Sequence, residues 1–301
     1  MQEYKIESFD GTPIHCYVWD EVENPKAIVQ IVHGMAEHAG RYAAFAEFLN
    51  KQGYIVFGDD HRAHGKTELF ESVGHHEGDI YEDTLNDIIY LNNYFKTKYK
   101  LPTMVIGHSY GSFLSQGFLQ RGIDVKGVIL CGSAYMGAVG IAGAMLVAPL
   151  HFFAAGWRPK FVNKMSDVIF NRAYKGEKGA SLWITRDAAE REKFIADPLS
   201  GIDMSINFDY SMIKAFSRIY KKANLAKLNP DTPIGIFSGT MDPIGGKNAS
   251  KAVQLQELYK NCGVKACELH LYDGARHELL NETNREEVFA DMLVFINKCF
   301  E

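Results

Sequence analysis

A serine between glycines, Gly107-His108-Ser109-Tyr110-Gly111, stands where the hydrophobic pattern changes period, and that junction restricts the fold more than any other feature. Before it, Leu101-Pro102-Thr103-Met104-Val105-Ile106 is a short apolar run that reads as a buried strand. After it, Phe113, Leu114, Phe118 and Leu119 fall at helical spacing within residues 112–121. A strand that turns straight into a helix is a building block of parallel α/β sheets. The turn must be tight: the serine is pushed into a strained, exposed conformation, and the flanking glycines let neighbouring backbone pass close by. The pentapeptide alone fixes only three positions and also occurs as a plain structural turn. A catalytic serine therefore needs partners elsewhere in the chain.

The remaining pattern supplies a sheet to hold it. Strand-like runs cover residues 4–9, 14–19, 27–32, 54–57, 103–106, 125–130, 233–237 and 266–272. The first two, separated by Asp10-Gly11-Thr12-Pro13, read as an antiparallel hairpin. The later ones alternate with helical patterns, such as residues 80–99 behind a capping Asp79, which predicts a mostly parallel sheet covered on both faces. With 301 residues and 47% hydrophobic content the chain can bury such a core. The rhythm breaks between residues 135 and 230, which contain no obvious buried strand. That length exceeds an ordinary loop, so an inserted helical cap is expected there, with residues 1–134 and 231–301 as the core domain. Residues 135–157 hold no Asp, Glu, Lys or Arg, yet Gly137, Gly140, Gly143, Pro149 and Gly156 interrupt them. They read as a pair of short helices, buried or touching a surface, rather than as a membrane span.

A serine hydroxyl needs a base, normally a histidine oriented by a carboxylate. Of eleven histidines, His277 has the right context, in the loop between the last strand and the final helix. Asp242 follows the strand at 233–237, also in a strand-end loop, where parallel sheets place their sites. Asp273, four residues before His277, reads as a residue that shapes the turn. The order Ser109, Asp242, His277 is that of the α/β-hydrolase fold. The oxyanion of a tetrahedral intermediate would meet the backbone N–H of Tyr110 and that of Met35, with Gly34 letting the loop after residues 27–32 turn inward. His33 reads as a residue that fixes this loop by hydrogen bonding.

These residues carry a resemblance. His33-Gly34-Met35-Ala36-Glu37-His38-Ala39-Gly40-Arg41-Tyr42 resembles the His-Gly-x-x-Glu-His-x-x-Arg-Tyr stretch of monoglyceride lipases and related lysophospholipases, α/β hydrolases of the serine aminopeptidase type. Asp60-His61-Arg62-Ala63-His64-Gly65-Lys66-Thr67 is similar to their Asp-x-x-Gly-His-Gly-x-Ser loop, with Ala63 for glycine and Thr67 for serine. The elbow carries Tyr110 where the family has methionine, a ring that could narrow the acyl site, and Gly274-Ala275-Arg276-His277-Glu278 is similar to the family's histidine loop. The resemblance covers both core parts but not residues 135–230. It implies Ser109, Asp242 and His277 as the catalytic residues, Met35 and Tyr110 as oxyanion donors, and no cofactor. It also implies hydrolysis of a monoacylglycerol or lysophospholipid-type ester. A short-chain or aromatic carboxylesterase is the alternative, followed by a peptidase and by a non-catalytic binding protein of this fold.

Other signals point away from other classes. The net charge of −5 with mixed signs offers no basic stripe for nucleic acid, and Lys221-Lys222 with Lys227 reads as a solvated helix face. His75-His76-Glu77 and the pair His61 and His64 lack metal-ligand spacing on a predicted helix. Five cysteines at irregular spacing suggest neither zinc nor a disulfide framework, and an amino terminus that reads as strand gives no leader pattern, so a cytoplasmic enzyme is expected. The aromatics Phe152, Phe153, Trp157, Trp183 and Phe208 could line an acyl site or form the cap's own core. The apolar stretch of the cap could also touch a membrane surface transiently.

Overall fold

The computed structural model describes residues 1–68 and 72–301, and in its helices all side chains except those of residues 138–141, 144–146, 162 and 163. Strands β1 (Gln2–Glu7) and β2 (Pro13–Trp19) form the expected hairpin, with Gln2 opposite Val18 and Glu7 opposite Pro13. β2 also pairs antiparallel with β4 (Tyr54–Asp59). From there on the sheet is parallel, through β3 (Ala27–Val32), β5 (Thr103–His108), β6 (Val128–Cys131), β7 (Ile234–Gly239) and β8 (Cys267–Tyr272). The strand order is β1-β2-β4-β3-β5-β6-β7-β8, so all eight strands read from the sequence are present with small shifts at their ends.

Both faces are covered, as the near-continuous apolar strands require. Helices α2 (Ile80–Tyr99), α3 (Tyr110–Phe118) and α9 (Ser250–Asn261) pack Leu85, Leu114 and Leu255 against one face. Helices α1 (Ala43–Lys51) and α10 (Arg285–Phe300) pack Phe45, Leu49, Phe289 and Phe295 against the other. β5 shows the period of two: Val105 joins the first core, Met104 and Ile106 the second. Asp79 caps α2 as expected, its carboxylate accepting from Glu82 N. One buried polar chain went unread in the sequence. Gln30 donates to Ile88 O at 3.1 Å, Asn92 to Gln30 Oε1 at 2.8 Å, and Thr103 to Asn92 Oδ1 at 2.9 Å, so α2 is fixed to the sheet by satisfied groups as well as by packing.

The order of strand addition switches sides between β3 and β5, which run parallel. The chain leaves β3 for α1 on one face and leaves β5 for α3 on the other. Adjacent parallel strands whose connections diverge open a crevice at their carboxyl ends, and the Met35 loop and Ser109 flank it.

Between β6 and β7 the described chain is helical: α4 (Gly137–Ala154), α5 (Lys160–Asn171), α6 (Ala188–Ala196), α7 (Ile206–Ile219) and α8 (Lys222–Leu225). The apolar stretch forms one helix of 18 residues, not the pair of short helices expected, and Pro149 lies inside it. Its glycines do not end the helix, and Gly143 faces α7, where a Cβ would lie in ordinary contact with Ile213 at 3.4 Å. Among the described residues no helix is long and apolar enough to cross a membrane. α7 is anchored on α3, with Phe208 4.8 Å from Tyr110 and Phe216 4.7 Å from Phe113 between ring centroids.

Candidate active site

Ser109 occupies the turn from β5 into α3 with φ 52° and ψ −117°, a conformation that costs a non-glycine residue about 1–3 kcal/mol. The surroundings hold it there. Its N–H donates to Cys131 O at 3.0 Å, and its carbonyl accepts from Ser112 N at 2.9 Å and Phe113 N at 3.1 Å. Both flanking glycines are needed for space. A Cβ on Gly111 would lie 2.0 Å from Val32 O, and one on Gly107 2.3 Å from Ser115 Oγ.

Asp242 and His277 come together from the loops after β7 and β8. His277 Nδ1 lies 2.9 Å from Asp242 Oδ2, with side-chain exposures of 3% and 0%. A carboxylate only accepts, so Nδ1 carries the proton and Nε2 is left as an acceptor. The other oxygen, Asp242 Oδ1, accepts from Ile244 N at 2.8 Å. Asp273 instead accepts from Thr240 Oγ1 at the exposed strand end, as a turn-shaping residue would. Ser109 and His277 line one cavity of about 490 Å³. No hydrogen bond joins the serine hydroxyl to His277 among the described residues, and such links are often loose without substrate.

The loop after β3 is organised by Glu37. Its Oε1 accepts from Gly34 N at 2.6 Å, from the Tyr42 hydroxyl at 2.8 Å and from His108 Nδ1 at 3.1 Å. Arg41 pairs with its other oxygen and forms a two-pronged bond to Glu278, at 2.9 and 2.7 Å. Burial alone would raise the Glu37 pKa; the charge of Arg41 and the bond from His108 hold it well below the usual carboxylate range. For His108 burial acts downward, but the bond to Glu37 prevails and raises its pKa. His33 fixes the loop as expected: Nδ1 lies 2.7 Å from Gly34 O, and Nε2 accepts from His61 N at 3.0 Å. Burial, then the neighbouring His61 and His64, keep His33 neutral.

Gly34 serves this loop for a different reason than expected. Its φ is not in the left-handed region, but a Cβ would lie 2.6 Å from Glu37 Oε1 and 3.3 Å from Ser109 Cβ, so the residue gives room, not a special turn. The N–H groups of Met35 and Tyr110 have no acceptor among the described residues. The Tyr110 ring does not narrow the cavity. It is buried away from it, between Phe208 and His64. Ala63, at the position where the resembled loop has glycine, adopts φ 65°, a strained value for alanine.

Several contributors were not found from sequence. Gly132, with φ 58°, leaves room for the imidazole, since a Cβ there would lie 3.1 Å from His277 Cε1. Trp183 stands 5.0 Å from the His277 ring, and its carbonyl accepts from His277 N at 3.2 Å. Glu278 N donates to Ile184 O at 2.6 Å and Arg276 to Leu182 O at 2.6 Å, so the segment before α6 is tied to the histidine loop. Of the aromatics expected in the cap, Trp183 lines the cavity and Phe208 is core, while Phe152 and Phe153 are exposed at 82% and 84%. His75 bonds Ser205 Oγ and His76 bonds Asp83; among the described residues no group of three potential ligands could hold a metal.

Comparison with known proteins identifies the family and related folds. Residues 23–284 match the family described as serine aminopeptidase, S33. A monoglyceride lipase homolog of Monkeypox virus is 27% identical over 278 residues, covering 92% of this chain and 91% of that protein. The human monoglyceride lipase is 26% identical over 277 residues, covering 91% and 82%. A solved lipase in its open form superimposes with a TM-score of 0.89 at 26% identity, covering 100% of this chain and 99% of the other.

Proposed function

The chain belongs to the serine aminopeptidase S33 family, and from that premise we propose that it hydrolyses monoacylglycerol-type carboxylic esters through an acyl-enzyme on Ser109. The observation that carries this reading is the Asp242–His277 bond of 2.9 Å beside a cavity that also exposes Ser109 on its strained elbow. Ser109 Oγ attacks the ester carbonyl while His277 Nε2 takes its proton. The negative oxygen is held by the N–H groups of Tyr110 and Met35, each typically contributing about 10²–10³ in turnover. His277 then protonates the leaving alcohol, and water, activated by the same imidazole, releases the acid. Asp242 keeps Nδ1 protonated and stabilises the imidazolium. The steps need no cofactor.

Residues 1–134 and 231–301 act as the hydrolase core in this reading, and residues 135–230 as the cap over its strand ends. The cavity wall favours a chain-bearing substrate: Met35, Phe170, Trp183, Phe194, Met204 and Met212 are apolar and drawn largely from the cap. The exposed Phe152 and Phe153 of α4, and Phe161 and Met165 of α5 with Lys160 and Lys164 beside them in sequence, give the cap apolar side chains suited to brief contact with a lipid surface.

Rates on p-nitrophenyl esters of increasing chain length, with fatty acid release from a monoacylglycerol, test the substrate class. The expected result is a maximum beyond the shortest chains together with measurable release of fatty acid. A maximum at acetate with no release from monoacylglycerol would instead support the short-chain carboxylesterase.

A further inference from the structure

Asp209 lies in the first turn of α7 and lines the same cavity as Ser109 and His277. Met212, three residues on, lines it too, so one face of α7 presents a methionine and a carboxyl together. Every other acidic group in that wall is engaged. Glu37 and Glu278 bind Arg41, and Asp167 accepts from Ser181 N, Trp183 Nε1 and Asn171 Nδ2. The Asp209 carboxyl has no hydrogen bond or ion pair among the described residues.

We propose that Asp209 forms a polar subsite in the cavity, accepting a hydrogen-bond donor, a hydroxyl or an ammonium group, carried on the chain of the bound ester. The inference rests on the esterase reading above. Its physical basis is the cost of covering a carboxylate with hydrocarbon: a plain alkyl chain laid along Met212 must either strip Asp209 of its solvation or take up a proton with it. A chain with a donor at the right carbon satisfies the group instead. Burial already raises the Asp209 pKa to about 6. The charged and titratable groups sharing the cavity are Lys164, Asp167, Glu37, Glu278, His108 and His277. On the helices packed against α7, Asp79 and Glu82 pair with Arg218, and His151 bonds Asn207. None of these contacts Asp209. Ionisation of Asp209 therefore opposes plain chains as pH rises through about 6 and favours donor-bearing ones.

The test compares p-nitrophenyl octanoate with analogues carrying a hydroxyl or an ammonium group at successive carbons, each rate divided by the same protein's rate on p-nitrophenyl acetate. In the wild type at least one donor-bearing ester should exceed octanoate by about tenfold in relative kcat/KM, the effect of one hydrogen bond to a charged group. D209L should abolish that advantage, whereas D209N should keep part of it for the hydroxyl and lose it for the ammonium. For octanoate, the ratio of D209N to wild type should be near one below pH 6 and rise above it. The proposal is overturned if no donor-bearing ester is preferred at any position, or if the preference persists in both variants. Should D209L fail to fold, the D209N comparison and its pH profile decide alone. Loss of activity in S109A with unchanged preferences in the Asp209 variants defeats only this inference. Undiminished activity in S109A defeats the esterase reading itself.

Discussion

Asp242→Asn is expected to lower kcat on any ester by about 10⁴ while leaving the fold intact. Asp242 accepts from His277 Nδ1 at 2.9 Å in a fully buried position, so it determines which ring nitrogen holds the proton. An asparagine can turn its amide N–H toward Nδ1. The proton then sits on Nε2, the one atom that must receive it from Ser109, and the imidazolium formed later loses its counter-charge. Circular dichroism and thermal unfolding would establish that the variant is folded, and steady-state kinetics would give the loss. Asp273→Asn is the matched control: that carboxylate is only four residues from His277 but bonds Thr240 at the exposed strand end, and its loss should change kcat less than about threefold. A variant at Asp242 that kept a tenth of wild-type turnover would remove this residue from the catalytic machinery.

Glu37→Ala should be the most destabilising single substitution at the site, by about 3–5 kcal/mol, because it leaves buried charge without its partner. Four groups converge on this carboxylate: Gly34 N–H, the Tyr42 hydroxyl, His108 and Arg41. Arg41 would retain Glu278, but His108 would lose the bond that raises its pKa. The loop that presents the Met35 N–H would lose the tie at Gly34, so activity should fall with stability. Glu37→Gln keeps an oxygen for Gly34 and should lie between the wild type and alanine in both measurements. Urea unfolding midpoints at constant m report the difference. Because the folded-state pKa of Glu37 is depressed, its contribution is complete above the ordinary carboxylate pKa and disappears as pH falls through the lower folded value. The gap between wild type and Glu37→Ala should therefore narrow in acid. A gap independent of pH would mean that the carboxylate's charge is not what stabilises the loop.

Much of this was legible in the chain because the signals are local. The strands are short apolar runs bounded by turn residues; Ser109 follows one directly, and Asp242 and His277 stand three and five residues beyond theirs, in loops that periodicity assigns to the same end of the sheet. What stayed hidden depends on contacts between distant segments. Nothing near Gly132 indicates that it faces His277, or that Trp183, 94 residues earlier than His277, would lend it a carbonyl. Gly34 looks like a turn former in the sequence because glycine usually signals conformation, whereas here the crowding of Glu37 and Ser109 around it is decisive. The glycines within Gly137–Ala154 look like breaks in the sequence, yet the helix is continuous, and Gly143 is a contact point against Ile213 of α7. Adjacency to Ser109 suggests that the Tyr110 ring could narrow the acyl site, yet neighbouring residues at a helix start point in different directions, and the ring faces Phe208.

Reaction of the folded protein with a fluorophosphonate probe, followed by mapping of the labelled peptide, tests the central claim most directly. A fluorophosphonate phosphonylates a serine whose hydroxyl is activated by a histidine and whose oxyanion is stabilised. The arrangement of Ser109, His277 and Asp242 predicts one label on Ser109, absent after unfolding and in Ser109→Ala, with ester hydrolysis lost in the same variant. An unlabelled Ser109 in folded protein, or a Ser109→Ala variant that hydrolyses esters at the wild-type rate, would contradict it.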